Sequence, residues 1–295
     1  MSTALTLGHS PDPDDAFMFY ALAEGKIDTG RWRFEHILQD IQTLNERATR
    51  GELHISAISI HAYTAVLDKY ALLPCGASMG DGYGPMLVAQ HRHGLSENPR
   101  LGEVRDWLRP KRIAIPGKMT SAWLALQLAM VDDTHPRGAC DIIVVPFDEI
   151  FDAVKSGRAD VGLIIHEGQL TYAHENLHLI LDLGVWWQIK TRGLPLPLGG
   201  NVIRKDIAPA DRREINQILH QSIRYGLEHR SAGVAHAMPL ARGLDTALAD
   251  RFIGMYVNEL TLDYGDRGRR AIREFLGQAH TAGLIPAPVE LEFVE

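Results

Sequence analysis

The strongest constraint on this chain is a regular alternation of short apolar runs with segments of helical period. "ALTLG" (4–8) reads as a strand and "AFMFYALAEG" (16–25) as a helix closed by Gly25. "IQTLNERATRG" (41–51) reads as a helix and "HISAISI" (54–60) as a strand. Next come "KRIAIPG" (111–117) as strand and turn, and "TSAWLALQLAMV" (120–131) as a helix. "DIIVVPF" (141–147), "DEIFDAVKSG" (148–157) and "ADVGLII" (159–165) read as strand, helix and strand. From Pro209 onward the pattern is mainly helical. Such alternation implies an α/β fold, with parallel sheets covered by helices on both faces.

Two segments rhyme. "LNERATRGELHISAIS" (44–59) and "IFDAVKSGRADVGLII" (150–165) each run helix, Gly turn, strand. Aligning Gly51 with Gly157 sets Ser59 against Ile165 and Ile60 against His166. The chain has 295 residues, which suits two moderate domains better than one. Pro/Gly punctuation in "GYGPMLVAQHR" (82–92) and "GLPLPLGGNVIRKD" (193–206) predicts two extended crossings, near 86–91 and 197–203. The expected lobes are 1–88 with 202–295, and 89–201. Ligands of open α/β sheets bind outside the carboxyl ends of strands. One crevice would then have Ser59 on one wall and His166 on the other.

Composition narrows the function. A hydrophobic share of 45% and a charged share of 23% suit a soluble globular protein. A net charge of -7 gives no reason to expect nucleic acid or an anionic membrane as partner. No apolar run approaches the length of a membrane span. The N-terminus, "MSTALTLGHSPDPDD", has neither a basic n-region nor a long apolar h-region, so the cytoplasm is the expected compartment. Cys75 and Cys140 have no metal-type spacing, and a disulfide is not expected in a reducing compartment. The oligomeric state is left open.

Several short stretches could carry chemistry. In "HSPDPDDAF", Asp14 or Asp15 can cap the following helix; alternatively, Asp15 meets ligand hydroxyls. In "PGKMTSAW" (116–123), Thr120 or Ser121 opens a helix just after a strand and turn. Each can be a plain N-cap. Together their hydroxyls and the free helix N–H groups can cradle a carboxylate. In "VGLIIHEGQLTY" (161–172), an apolar strand ends in His166. A histidine is often only a satisfied structural residue, but one delivered to a crevice can take and return a proton near neutral pH. Glu167, one residue on, would point to the other face. His91 with His93, and His174 with His178, have spacings a metal could use, but no supporting ligands stand near them, so no metal is expected. There is no G-x-S-x-G, P-loop or Rossmann glycine pattern. Trp186 and Trp187 read as packing residues; on a strand, one would face the core and the other the crevice.

"SPDPDDAFMFYAL", "QDIQTLNERA", "GYGPMLVAQ", "PGKMTSAWL", "GLIIHEGQLTY" and "DLGVWWQIKTRGLPLPLG" follow one another over nearly the whole chain. As an ordered set they closely resemble the 1,4-dihydroxy-6-naphthoate synthase family of the futalosine route to menaquinone. The resemblance implies the two-lobe (type II) fold of periplasmic binding proteins in a cytoplasmic enzyme. It implies a cofactor-independent lyase acting on cyclic de-hypoxanthine futalosine, a small-molecule carboxylate. The products would be 1,4-dihydroxy-6-naphthoate and a dihydroxyacetone-like fragment, with His166 as proton acceptor. Implied substrate contacts fall on Ala57, Ile58, Ser59, Ser121 and Ala122, with Thr120 beside them and Asn45 as the polar residue of "TLN". The family's first loop usually reads "SPCPND", whereas this chain has Asp12 and Asp14 in place of Cys and Asn; Asp15 is kept. Two extra acids near a substrate carboxylate are unfavourable unless they point away, which bears on the exact substrate more than on the fold. A sister enzyme, chorismate dehydratase, and solute-binding proteins of transporters share the fold and are the competing readings. A regulatory ligand-binding domain is a third, without an attached DNA-binding module.

Overall fold

The structure is a computed structural model that describes residues 2–135, 138 and 140–295. Its strands, in chain order, are β1 (Thr3–His9), β2 (Trp32–Leu38), β3 (Ile55–Ser59), β4 (Tyr70–Leu72) and β5 (Ser78–Gly80). They are followed by β6 (Met86–Ala89), β7 (Arg112–Ile115), β8 (Asp141–Val144), β9 (Val161–Ile164), β10 (His178–Asp182) and β11 (Leu196–Arg204). Two sheets form, each with helices packed on it, giving an α/β molecule of two lobes. The first sheet has the order β2-β1-β3-β11-β4, with β5 also paired to β11. The second has the order β10-β6-β9-β7-β8.

The sheets are mixed rather than parallel. β1 runs parallel to β2 and β3, and β7 to β8 and β9. β11 is antiparallel to β3, β4 and β5, while β6 is antiparallel to β9 and β10. The reason is connectivity. A parallel pair needs a crossover connection, which helices supply between β1, β2 and β3 and between β7, β8 and β9. β6 and β11 instead follow a passage from one sheet to the other, through residues 81–85 and 183–195, and escape that rule. Residues 86–89 and 196–204 are therefore sheet strands in their own right, just after those passages.

Local chemistry accounts for the element ends. Asp40 accepts the Thr43 N–H at 3.0 Å and opens the helix Ile41–Thr49. Thr120 accepts the Trp123 N–H at 3.2 Å and opens Ser121–Met130. Gly51 and Gly157 end their helices at φ 69° and 75°, a region unfavourable to other residues. Each is followed by a strand, β3 or β9, so the two rhyming segments have the same local build. "AFMFYALAEG" is two short helices, Pro13–Met18 and Tyr20–Ala23, broken at Phe19. "LGVWWQIKT" is a helix, Leu183–Thr191, capped by the Asp182 side chain. The tryptophans thus do not alternate across a strand. Trp187 is fully buried, donates to the Pro195 carbonyl at 3.0 Å and meets Phe275 edge-on at 5.4 Å.

One buried cluster runs across both lobes, joining Tyr63, Leu72 and Val202 to Leu87, Leu163 and Trp187. A second, around Phe17, Ile55 and Ile223, belongs to the first sheet and the C-terminal helices. β9 is buried along its whole length and lies so close to the helix Ile150–Lys155 that a Cβ on Gly162 would stand 2.6 Å from Ile150 Cγ2. That tight contact fixes the strand whose end carries His166. Among the described residues, no helix is long and apolar enough to cross a membrane.

Candidate active site

The carboxyl ends of β1, β3, β7 and β9 converge on one cavity between the sheets. The loop after β1 brings Ser10, Asp12, Asp14 and Asp15 to it. β3 brings Ala57, Ile58 and Ser59, the helix start after β7 brings Thr120, Ser121 and Ala122, and the residues after β9 bring Ile165 and His166. Asn45 is the one sequence-derived candidate outside the lining. It stands behind Ser59, donating from Nδ2 to Ser59 Oγ at 2.9 Å and accepting the Ser59 N–H at 2.8 Å.

The hydroxyls on the helix-start wall are already engaged. Thr120 Oγ1 donates to the Gly117 carbonyl at 2.9 Å as well as capping the helix. Ser121 Oγ donates to the Leu198 carbonyl at 2.5 Å and accepts the His61 N–H at 3.2 Å, so it ties the second lobe to the first. What remains for an anion is the pair of N–H groups at the first turn of a ten-residue helix.

His166 sits in a buried ion network. Its Nδ1 lies 3.0 Å from Asp12 Oδ2. Asp12 Oδ1 accepts from Arg242 at 2.7 Å, and Arg242 also reaches Glu167 at 3.1 Å. The Ser10 Oγ lies 2.8 Å from Asp12 and 2.9 Å from Asp15, with its one proton shared between the two carboxyl groups, and the Ser10 N–H donates to Asp15 at 2.6 Å. The Phe147 ring packs against both, 4.2 Å from the His166 imidazole centroid and 4.4 Å from the Arg242 guanidinium. His166 Nε2 is buried and, among the described residues, has no hydrogen-bond partner.

The network sets the protonation of its members. Burial opposes charge on His166, but the Asp12 carboxylate outweighs it, and the histidine's pKa is raised. Burial opposes charge on Asp12 too, yet His166 and Arg242 hold it well below the usual carboxylate range. Asp15 has no cation of its own; burial pushes it up to about 6, against the opposing pull of the Ser10 N–H. Asp14 is driven well upward by burial and then by its neighbours Asp15 and Asp12. Asp12, His166 and Glu167 present atoms within 4.8 Å of one another, the spacing of a metal site. The Arg242 guanidinium already bridges the two carboxylates and supplies their positive charge.

Sequence reasoning missed Arg242 and Asn201. Arg242 lies in a turn more than two hundred residues from Asp12, and only the unbalanced acids of "PDPDD" hinted that a cation was needed. Asn201 lines the cavity at 2% exposure with Nδ2 unpartnered among the described residues, and Gly76 makes room for it, since a Cβ there would stand 2.0 Å from that atom. The helical Trp186 and Trp187 do not line the cavity.

Known proteins resemble this chain over nearly its whole length. A family described as "Menaquinone biosynthesis" matches residues 5–281. A Streptomyces coelicolor protein named 1,4-dihydroxy-6-naphtoate synthase is 37% identical over 283 residues, covering 96% of this chain and 95% of its own length. A crystal structure from Archaeoglobus fulgidus superposes with a TM-score of 0.86 at 40% identity, over 96% of this chain and 98% of that one. A Candida albicans protein described as having the generic periplasmic binding protein fold gives a TM-score of 0.70 at 13% identity, over 99% and 98% of the two chains, and shows the fold alone.

Proposed function

The chain belongs to the menaquinone-biosynthesis family, together with 1,4-dihydroxy-6-naphthoate synthases, and from that premise we propose its reaction. It acts as a carbon–carbon lyase on cyclic de-hypoxanthine futalosine. The products are 1,4-dihydroxy-6-naphthoate and a dihydroxyacetone-like fragment. The observation that carries this reading is the unpartnered Nε2 of His166 on the wall of a cavity whose other walls carry hydroxyls and helix N–H groups.

Forming an aromatic naphthoate from a cyclised sugar adduct requires a proton to leave a carbon next to a carbonyl and a carbon–carbon bond to break. One positioned base starts both events. His166 takes that proton at Nε2. The substrate carboxylate sits at the N–H groups of Ser121 and Ala122, away from Asp12, Asp14 and Asp15. Ser59, braced by Asn45, and Asn201 meet the oxygens of the sugar-derived part, and Ala57 and Ile58 flank the ring. Asp15, partly protonated near its value of about 6, is suited to a ligand hydroxyl. Approach of the two lobes would exclude water and align the scissile bond. The reading places the enzyme in the cytoplasm with a small molecule as its partner, and no cofactor is part of it.

The test is incubation of purified protein with cyclic de-hypoxanthine futalosine, followed by chromatography and mass spectrometry for the naphthoate. Binding without turnover would favour a solute-binding role, and turnover of chorismate instead would favour the sister dehydratase. Either result would overturn the proposal.

A further inference from the structure

We propose that Asp12 is a positioning residue for His166, holding the ring with its Nδ1–H toward the carboxylate and so presenting the Nε2 lone pair to the cavity. The proposal deepens the reading of His166 as the base and rests on it. Its geometry is specific. Asp12 is 3% exposed and carries three partners: His166 at 3.0 Å, Arg242 at 2.7 Å and the Ser10 hydroxyl at 2.8 Å. The last two fix the carboxylate before the histidine is considered. The imidazole then has one acceptor on the Nδ1 side, an aromatic wall at Phe147 and, among the described residues, no hydrogen-bond partner at Nε2.

The proton balance follows. The neutral ring keeps its proton on Nδ1, against Asp12. A substrate C–H proton goes to Nε2, the electron pair stays with the substrate carbon, and the resulting imidazolium is stabilised by the Asp12 charge. Asp12 stays ionised throughout, because Arg242 and Ser10 favour its charged form. The carboxylate thus orients the base and strengthens it without taking the proton. The groups acting on His166 are Asp12 and Glu167, which favour its charged form, and Arg242, which opposes it. Asp15 stands one residue further out, through Ser10.

The decisive experiment needs no substrate. Protein labelled with 15N-histidine is titrated by NMR in the ligand-free state, as the natural chain, Asp12→Asn and Arg242→Gln, with His166→Asn to assign the signal. In the natural chain the neutral His166 ring should carry its proton on Nδ1. Asp12→Asn should lower the His166 midpoint by about one unit or more, since an opposite charge at this distance is lost. Arg242→Gln should move the midpoint the other way, upward. In turnover, Asp12→Asn should lower kcat by roughly 10–100-fold with KM little changed, and the acid limb of its pH profile should move down with the midpoint.

A proton on Nε2 in the natural chain would overturn the proposal. So would an unchanged midpoint and tautomer in Asp12→Asn, which would make the pair structural only. Should Asp12→Asn fail to fold, the natural chain's tautomer and the direction of the Arg242→Gln shift decide the matter alone. If the titrations behave as expected and no variant turns over the futalosine derivative, the assigned reaction fails and the positioning role stands.

Discussion

Replacing His166 with Asn separates catalysis from architecture. Asparagine places an amide donor near the position of Nδ1 and removes Nε2, the atom without a partner. Asp12 is not orphaned, because Arg242 at 2.7 Å and Ser10 at 2.8 Å remain. The stability loss has two parts. The Asp12 carboxylate remains the acceptor, but its donor becomes a neutral amide that cannot take up the charge an imidazolium carries, costing about 1 kcal/mol. The edge contact with Phe147 at 4.2 Å is lost, another roughly 1 kcal/mol. A total of about 2 kcal/mol should lower Tm by roughly 4–8 °C, leaving the protein folded at assay temperature. Turnover should fall by roughly 10²–10⁴-fold, the range for a lost general base. Affinity should change much less, since the carboxylate and hydroxyl contacts lie on other loops. The assay is naphthoate formation beside calorimetric binding of the substrate, with circular dichroism as folding control. A folded variant turning over within a few-fold of the natural enzyme would refute the role of His166.

Three further outcomes are expected. Asp15→Asn should stabilise the protein at pH 8: the folded-state pKa is raised from 3.8 to about 6, so the natural chain loses stability as pH rises through that window, by at most about 3 kcal/mol, and the gain should vanish near pH 4 in thermal melts. Ser121→Ala removes a hydroxyl that donates to Leu198 and accepts from His61 across the lobes, so KM should rise several-fold with a smaller change in kcat in steady-state kinetics. Gly162→Ala would press a methyl against Ile150 beneath β9, costing about 1–3 kcal/mol by denaturant titration and lowering kcat through displacement of His166.

The candidate site was legible where it obeys local rules. Ser59, Thr120, Ser121 and His166 each follow an apolar run that could be read as a strand, and strand ends in open α/β sheets face the ligand. All four line the cavity. Thr120 as a helix cap was equally visible. Strand direction was not, because β6 and β11 enter from the opposite sheet and no periodicity records that passage. "LDLGVWWQIK" was ambiguous for a related reason: a short apolar run with two tryptophans fits a strand or a buried helix, and the Asp182 cap decides for the helix. Arg242 was beyond reach, since a lone arginine in a turn carries no mark of a partner 230 residues away.

Asp12 shows why the first loop was the hardest part to read. Extra acids beside a carboxylate-binding crevice look unfavourable while only the substrate is considered. The buried surroundings include the Arg242 cation from the C-terminal segment and the His166 imidazole from the other lobe, and together they turn Asp12 into half of a balanced network. Asp14 and Asp15 have no such partners, which is why burial drives both upward while Asp12 goes down. Three neighbouring carboxyl groups are thereby given different protonation behaviour by geometry alone. A crevice between two lobes makes this arrangement accessible. Asp12 and His166 come from different sheets, so the charges meet where the two lobes face one another, beside a core that the lobes share. A binding-protein scaffold needs little more than that to hold a base: one strand end carrying an imidazole, a carboxylate across the gap, and a cation behind the carboxylate to keep it ionised.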